Sequence, residues 1–80
     1  MKVLSLMVGP IMTNCYILCD EEAKVCAVID PGDEPERIAA MIASSGCTPT
    51  MLLLTHGHFD HYTGVAGLLE KWPELPVYIH

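Results

Sequence analysis

Positive charge is scarce in this 80-residue chain. Four lysine and arginine side chains stand against ten aspartate and glutamate side chains, which gives a formal net charge of −6. A nucleic-acid-binding domain needs a basic patch to neutralise phosphates, and an anionic membrane surface attracts the same kind of patch. The sequence therefore argues against nucleic acid and against a membrane surface as partners.

Long apolar runs are also missing. No run approaches the ~18 apolar residues of a transmembrane helix. Gly9-Pro10 interrupts the apolar start of the chain, which argues against a signal peptide. Even so, 51% of the residues are hydrophobic and the mean hydropathy is +0.37. That apolar content is high for a chain with so much surface for its volume.

The four cysteines contain no Cys-x-x-Cys pair, which argues against a zinc ribbon and against a thioredoxin-type redox site. Three of them lie in apolar runs, where a free cysteine behaves as a small hydrophobe. We expect buried, reduced thiols in a cytoplasmic protein, with a disulfide framework as the alternative. The cysteines are Cys15, Cys19, Cys26 and Cys47.

Turn residues divide the first half of the chain into three strands and a helix. The strands are predicted over 2–8, 13–19 and 24–29, and the last two of these are expected to form a hairpin. Asp33, followed three residues later by Glu36, has the pattern of a capping box and predicts the start of the helix. Gly46 predicts its end.

Strands and helices alternate in the second half. A short apolar strand is predicted over 51–54, a second helix ends before Pro73, and a last strand begins at Pro76. One face of the second helix follows the i, i+3, i+4, i+7 spacing with Val65, Leu68, Leu69 and Trp72. The resulting order, βββ-α-β-α-β, predicts an α/β fold with a mixed sheet and helices on one face.

Two of the predicted strands carry apolar residues without alternation. Val25 to Ile29 and Met51 to Leu54 are continuous apolar runs, which are typical of strands covered on both faces. The two predicted helices can cover one face of the sheet. We therefore expect either that the chain is part of a larger protein or that an oligomer covers the second face.

The strongest functional signal is a cluster of three histidines and an aspartate, His56, His58, Asp60 and His61, directly after the apolar run that ends at Leu54. Imidazole nitrogen with a neighbouring carboxylate suits zinc, iron or manganese. The carboxyl end of a buried strand is also where α/β sheets bind ligands. A zinc finger is excluded because no cysteine pair accompanies the histidines, and a solvated loop explains such a cluster poorly.

The run from Thr55 to Gly64 resembles the His-x-His-x-Asp-His signature of the metallo-β-lactamase superfamily. Thr13 to Leu18 is similar to the early Asn-Cys/Tyr-Tyr strand of the glyoxalase II-like branch, and Val28 to Gly32 is similar to the Asp-Pro-Gly that closes its third strand. The resemblance covers essentially the whole chain. It is specific for the superfamily and much less so for the reaction.

The resemblance implies an αβ/βα sandwich, of which residues 1–80 would form the N-terminal part, with the second sheet packed on the doubly apolar strands. It implies a metal-dependent hydrolase that cleaves a small acyl thioester with a metal-bound hydroxide, as hydroxyacylglutathione hydrolases do. A sulfur dioxygenase, a lactonase or a phosphodiesterase of the same superfamily is the alternative. A non-catalytic metal-binding fragment is the alternative of another class.

The resemblance also implies a role for each residue of the cluster. His56 and His58 would bind the first of two zinc ions, and Asp60 and His61 the second, with iron or manganese as other possible metals. Asp60 would also orient the hydroxide, and Asp30 would orient a ligand by hydrogen bonding. The third histidine of the first site and the bridging aspartate would come from further along a longer chain. His80 matches no ligand position.

Overall fold

The computed structural model of the protein describes residues 1–9, 13–55 and 63–79. The described elements follow the predicted order βββ-α-β-α-β, which confirms the α/β fold class. The strands are Lys2–Val8 (β1), Thr13–Asp20 (β2), Val25–Ile29 (β3), Thr48–Leu54 (β4) and Val77–Ile79 (β5). The helices are Pro35–Ser45 (α1) and Thr63–Lys71 (α2).

The strands form one mixed sheet in the order β1-β2-β3-β4-β5. β1, β2 and β3 pair antiparallel, and β3, β4 and β5 pair parallel, with α1 and α2 as the two crossovers. The predicted hairpin of β2 and β3 is confirmed. Its turn is closed by Asp20, whose Oδ1 accepts hydrogen bonds from the backbone N–H groups of Glu22 and Ala23, both at 3.1 Å.

One face of the sheet and the apolar sides of both helices form the core. Alternate residues of the strands point to this face, because side chains in a strand change face at every residue. Ile17 and Val28 face each other in the register of β2 and β3, and both are fully buried. They belong to the same buried cluster as Ile38 of α1 and Leu68 of α2, so both helices cover the same face.

The opposite face of the sheet is apolar and partly open. Tyr16, Ile29, Leu53 and Tyr78 lie in one row across it, in the registers that join β2 to β5. Ile29 and Leu53 are half-buried, whereas Tyr78 is 53% exposed at the edge of the sheet. The continuous apolar runs that the sequence shows in β3 and β4 thus supply one buried face and one face without a covering layer among the described residues.

The start of α1 differs from the prediction. Asp33 was predicted as the N-cap in a capping box with Glu36, but the N-cap is Glu34, which has φ 54° and makes no side-chain capping hydrogen bond. Asp33 Oδ1 instead accepts from the N–H of Glu34 at 2.8 Å. Pro35 occupies the first turn, where its missing N–H is tolerated, and the left-handed Glu34 shifts the helix start by one residue.

The ends of the two helices agree with the prediction. Gly46 terminates α1 in the left-handed conformation, with φ 76°, and its N–H donates to the carbonyl oxygen of Ala43. α2 ends at Lys71, before Pro73. In the described part of the chain, neither helix is long and apolar enough to cross a bilayer.

All four cysteines are buried and unpaired, so the expectation of free, buried thiols is confirmed and the disulfide framework is wrong. Cys19 and Cys26 are neighbours in the register of β2 and β3. Burial is the main cause that raises the pKa of both thiols, to about 11 for Cys26. These side chains therefore act as small core hydrophobes.

Candidate metal centre

Asp30 and Thr55 meet at the carboxyl ends of two neighbouring parallel strands. Asp30 directly follows β3 and Thr55 directly follows β4, and the two strands are in register through Ile29 and Leu53. The Thr55 N–H donates to Asp30 Oδ1 at 2.7 Å, and the Thr55 hydroxyl donates to Asp30 Oδ2. Both carboxylate oxygens therefore contact the residue that precedes His56.

The backbone fixes the orientation of Asp30. Its N–H donates to the carbonyl oxygen of Leu53 at 2.9 Å, and its own carbonyl oxygen accepts from the N–H of Gly32, also at 2.9 Å. Asp30 has φ 56°, a left-handed conformation that aspartate adopts more readily than most residues. The residue is only 5% exposed, so its carboxylate is a buried acceptor committed to this edge of the sheet.

The neighbouring thiol of Cys15 is not a candidate nucleophile. Cys15 is fully buried. Burial, and then the negative charge of Asp30, raise the pKa of this thiol from 9.0 to about 12. Because the thiolate is the reactive form of cysteine, Cys15 stays protonated and inert at neutral pH. A cysteine–histidine mechanism at this edge is therefore unsupported.

α2 approaches the same edge through a glycine. A Cβ atom added to Gly64 would overlap the carbonyl oxygen of Pro31 and would lie 2.8 Å from the backbone nitrogen of Asp33. Gly64 is buried. The first turn of α2 thus packs backbone to backbone against the turn that follows β3. The two backbones are too close at Gly64 for any residue with a side chain.

The predicted site residues divide into one that the structure describes and four that it does not. Asp30 lies at the predicted edge with its carboxylate in hydrogen bonds. His56, His58, Asp60 and His61 lie outside the described residues, as does His80. Within 1–9, 13–55 and 63–79, no group of three or more histidine, cysteine, aspartate or glutamate residues could bind a metal ion.

The chemistry of the donor set fits a divalent metal. Three imidazoles and one carboxylate follow Thr55 within six residues, and such nitrogen and oxygen donors suit zinc, iron and manganese. Ligands of this kind are commonly oriented by a buried carboxylate beside them. Asp30 is buried, and it accepts a hydrogen bond from Thr55, the residue that precedes the cluster in the chain.

The sequence alone did not reveal the structural roles of Thr55 and Gly64. Both belong to the histidine signature, but their contacts with Asp30 and Pro31 depend on the register of β3 with β4 and on the packing of α2. The sequence did contain one signal of the Thr55 contact, namely an aspartate directly after β3 and a threonine directly after β4. It becomes informative only when the two strands are known to be parallel neighbours.

The sequence profile of the metallo-beta-lactamase superfamily matches residues 8–80. A probable metallo-hydrolase of Bacillus subtilis, YqgX, is 42% identical over 80 residues, which are 100% of this chain and 36% of that protein. The hydroxyacylglutathione hydrolase of Photorhabdus laumondii is 41% identical over 71 residues, which are 86% of this chain and 28% of the relative. The chain thus spans about a third of the length of these curated relatives.

Solved structures give the same result. The BLEG-1 B3 metallo-beta-lactamase superposes with a TM-score of 0.86 at 34% identity, covering 99% of this chain and 37% of that one. TTHA1623, in a di-iron-bound form, gives 0.80 at 43% identity, covering 96% and 37%. ETHE1 from Myxococcus xanthus gives 0.81 at 28% identity, covering 95% and 34%. By profile, sequence and fold, the chain belongs to the metallo-beta-lactamase superfamily.

Proposed function

We propose that the whole protein is a metal-dependent hydrolase that cleaves a small acyl thioester, in the manner of a hydroxyacylglutathione hydrolase. A relative of that name is 41% identical over most of the chain. The observation that carries the proposal is the pair of hydrogen bonds from Thr55 to Asp30. These bonds fix the residue before the histidine cluster at the carboxyl edge of the sheet, where α/β folds bind ligands.

The proposed ligands are those of the signature. His56 and His58 bind one metal ion, Asp60 and His61 bind a second, and Asp30 supports them through Thr55. A divalent ion lowers the pKa of a coordinated water toward 7 and so supplies a nucleophile at neutral pH. Asp60 accepts a hydrogen bond from the attacking water and orients it. Zinc is the proposed metal, and iron or manganese are alternatives because the same donors suit them; the di-iron-bound form of TTHA1623 supports iron.

The rest of the proposal concerns what surrounds the site. Residues 1–80 supply one part of a larger metallo-beta-lactamase domain, in the cytoplasm. The apolar sheet face that carries Tyr16, Ile29 and Leu53 is covered by the remainder of that domain or by another copy of the chain. The covering layer removes apolar surface from water, which is the main favourable term in such packing.

Thioester hydrolysis by the whole protein tests the activity. The zinc-loaded protein should hydrolyse S-lactoylglutathione, and His58→Ala should abolish the turnover. His80→Ala is the matched control, because His80 lies outside the signature and should leave turnover unchanged. The 80 residues alone should show negligible turnover, because the remaining ligands are missing from this chain. Turnover that survives His58→Ala would contradict the proposal.

β-Lactam hydrolysis is the second candidate, and the likeness to the BLEG-1 B3 metallo-beta-lactamase favours it. A chromogenic cephalosporin assayed beside the thioester separates the two activities on the same preparation. Metal analysis adds a further distinction. Two metal ions per chain agree with the binuclear hydrolase, whereas a single iron ion per chain would contradict it and favour a sulfur dioxygenase.

A further inference from the structure

A single turn contacts both flanks of the histidine-rich segment 56–62. The turn is Asp30–Asp33, between β3 and α1. Thr55 precedes the segment and Gly64 follows it closely in the chain. Each of the two contacts the turn, Thr55 through Asp30 and Gly64 through Pro31 and Asp33. The described residues on both sides of the segment are therefore held by one short piece of backbone.

At the first end, the tie consists of hydrogen bonds to a charged acceptor. The backbone N–H of Thr55 donates at 2.7 Å to one oxygen of Asp30, and the hydroxyl donates to the other. Hydrogen bonds to an ionised group are roughly twice as strong as neutral ones. Two of them on one residue fix both its backbone and its side-chain rotamer.

At the second end, the tie is close packing of backbone on backbone. Only hydrogen fits between the Gly64 Cα and the Pro31 carbonyl, because a Cβ atom there would overlap the carbonyl oxygen. Any larger residue must move the first turn of α2 away from the turn Asp30–Asp33, or move that turn. Only Thr63 separates Gly64 from the histidine-rich segment, so such a movement shifts the described backbone that directly follows the segment.

The turn is rigid enough to serve as a common support. Pro31 is fully buried, and its ring fixes φ. The Gly32 N–H closes the turn onto the carbonyl oxygen of Asp30. Glu34, which follows the turn, accepts from the N–H of Gly9 at 2.7 Å and so joins it to the end of β1. The support therefore extends from the helix layer into the sheet.

We propose that Thr55 and Gly64 are positioning residues for the metal ligands, and that they act by fixing both ends of the ligand segment on the turn Asp30–Asp33. The inference rests on the proposed function, because it assigns the ligands to residues 56–61. Metal sites need their ligands within about 0.5 Å of the productive geometry. Displacing either end should therefore weaken metal binding. The loss of affinity should exceed what a lower stability of the metal-free protein explains.

Gly64→Ala and Gly67→Ala form a matched pair that tests the second end. An added Cβ at Gly67 would also overlap a neighbour, the ring of Pro35, but Gly67 lies one helical turn further from the segment. The zinc affinity of the whole protein is measured by competition with a chromophoric chelator, and the stability of the metal-free protein by urea unfolding. We expect Gly64→Ala to weaken zinc binding by about 10- to 100-fold, as changes beside metal ligands do, and Gly67→Ala to leave it within about twofold.

Thr55→Val and Thr55→Ser test the first end, and they carry the test alone if Gly64→Ala does not fold. Valine has nearly the shape of threonine but lacks the hydroxyl donor to Asp30, whereas serine retains it. We expect Thr55→Val to weaken zinc binding by about tenfold or more and Thr55→Ser to stay near the parent value, since loss of a partner beside a metal ligand has effects of that size.

The outcomes separate this inference from the proposed function. Zinc binding that is unchanged by Gly64→Ala and Thr55→Val, or weakened equally by Gly67→Ala, overturns the inference. In that case, loss of zinc binding by the His58→Ala variant would still support the proposed metal site. A parent protein that binds no zinc, iron or manganese, or a His58→Ala variant that binds as tightly as the parent, overturns the proposed function and the inference with it.

Discussion

The carboxylate of Asp30 accepts two hydrogen bonds from Thr55, one from its backbone N–H and one from its hydroxyl, across the carboxyl ends of β3 and β4. The two residues are 25 positions apart in the chain, so the contact exists only in the folded state. Hydrogen bonds offset the cost of burying the carboxylate. Without this acceptor, the N–H and hydroxyl donors of Thr55 would be left unpaired, which lowers the stability of the folded state. The pair therefore stabilises the fold at the carboxyl ends of β3 and β4, directly before the histidine cluster in the chain.

Asp30→Ala should destabilise the protein more than Asp30→Asn. Alanine removes both acceptor oxygens and is strained at φ 56°, which together should lower the free energy of unfolding by about 2–4 kcal/mol. Asparagine keeps one acceptor oxygen and tolerates the left-handed conformation, so its cost should be smaller. Urea unfolding in the presence of EDTA measures both variants without a contribution from metal. Equal stability of the two variants would contradict this account of Asp30.

Local patterns predict much of this fold. The spacing of Val65 and Leu68 predicts the buried face of α2, and both residues are in the core. Gly46 predicts the end of α1, where the left-handed conformation is found. These features depend on residues within a few positions of each other, and such short-range preferences are readable from one sequence.

The parts that were wrong or missed depend on contacts between distant residues. Asp33 has every local feature of an N-cap, but Glu34 takes that position, with its side chain bound to the N–H of Gly9, 25 positions earlier. Likewise, the role of Thr55 depends on the register of Ile29 with Leu53. The ligand assignment of the histidine cluster stays a prediction, because those residues lie outside the described part of the chain.

Gly46→Ala should lower the free energy of unfolding by about 1–2 kcal/mol, the cost of a left-handed conformation for a residue with a Cβ atom. Gly46 has φ 76°, and an added Cβ would meet no atom within 4 Å. The cost is therefore conformational strain without a steric clash. Gly46→Asn is the matched control, because asparagine tolerates this conformation and should lose less. Thermal or urea unfolding measures both, and an alanine variant as stable as the asparagine variant would contradict the assignment.

Alkaline pH should destabilise the fold through its buried thiols. Their ordinary pKa is 9.0, and the folded protein raises it to about 12 for Cys15 and about 11 for Cys26. Between pH 9 and 11 the unfolded chain loses these protons while the native protein keeps them. Because the unfolded state then binds fewer protons, the free energy of unfolding falls as the pH rises. Below pH 9 the thiols are protonated in both the folded and the unfolded state, so their contribution to the free energy of unfolding is present in full.

The test of this pH dependence is a comparison across variants. Urea midpoints of the parent and of Cys15→Ala and Cys26→Ala are measured from pH 7 to pH 11, in the presence of a reductant. The alanine variants lack the titrating thiol, so their stability should fall less steeply above pH 9 than that of the parent. Parallel curves for the parent and both variants would show that these thiols do not cause the alkaline loss.

The open face of the sheet should make the 80-residue chain associate with itself. Val3 is 58% exposed and Tyr78 is 53% exposed, and the half-buried Leu18, Ile29 and Leu53 lie between the edges of the same face. Contiguous exposed apolar surface of this kind favours contacts that remove it from water. Sedimentation velocity over a range of concentrations should therefore show species larger than the 8.8 kDa monomer.

Val3→Lys should shift the distribution toward monomer, because a lysine ammonium is costly to bury unpaired. Ala40→Lys adds the same charge at an exposed position of α1 and should leave the distribution unchanged, whereas an equal shift in both variants would assign the effect to net charge and not to this face.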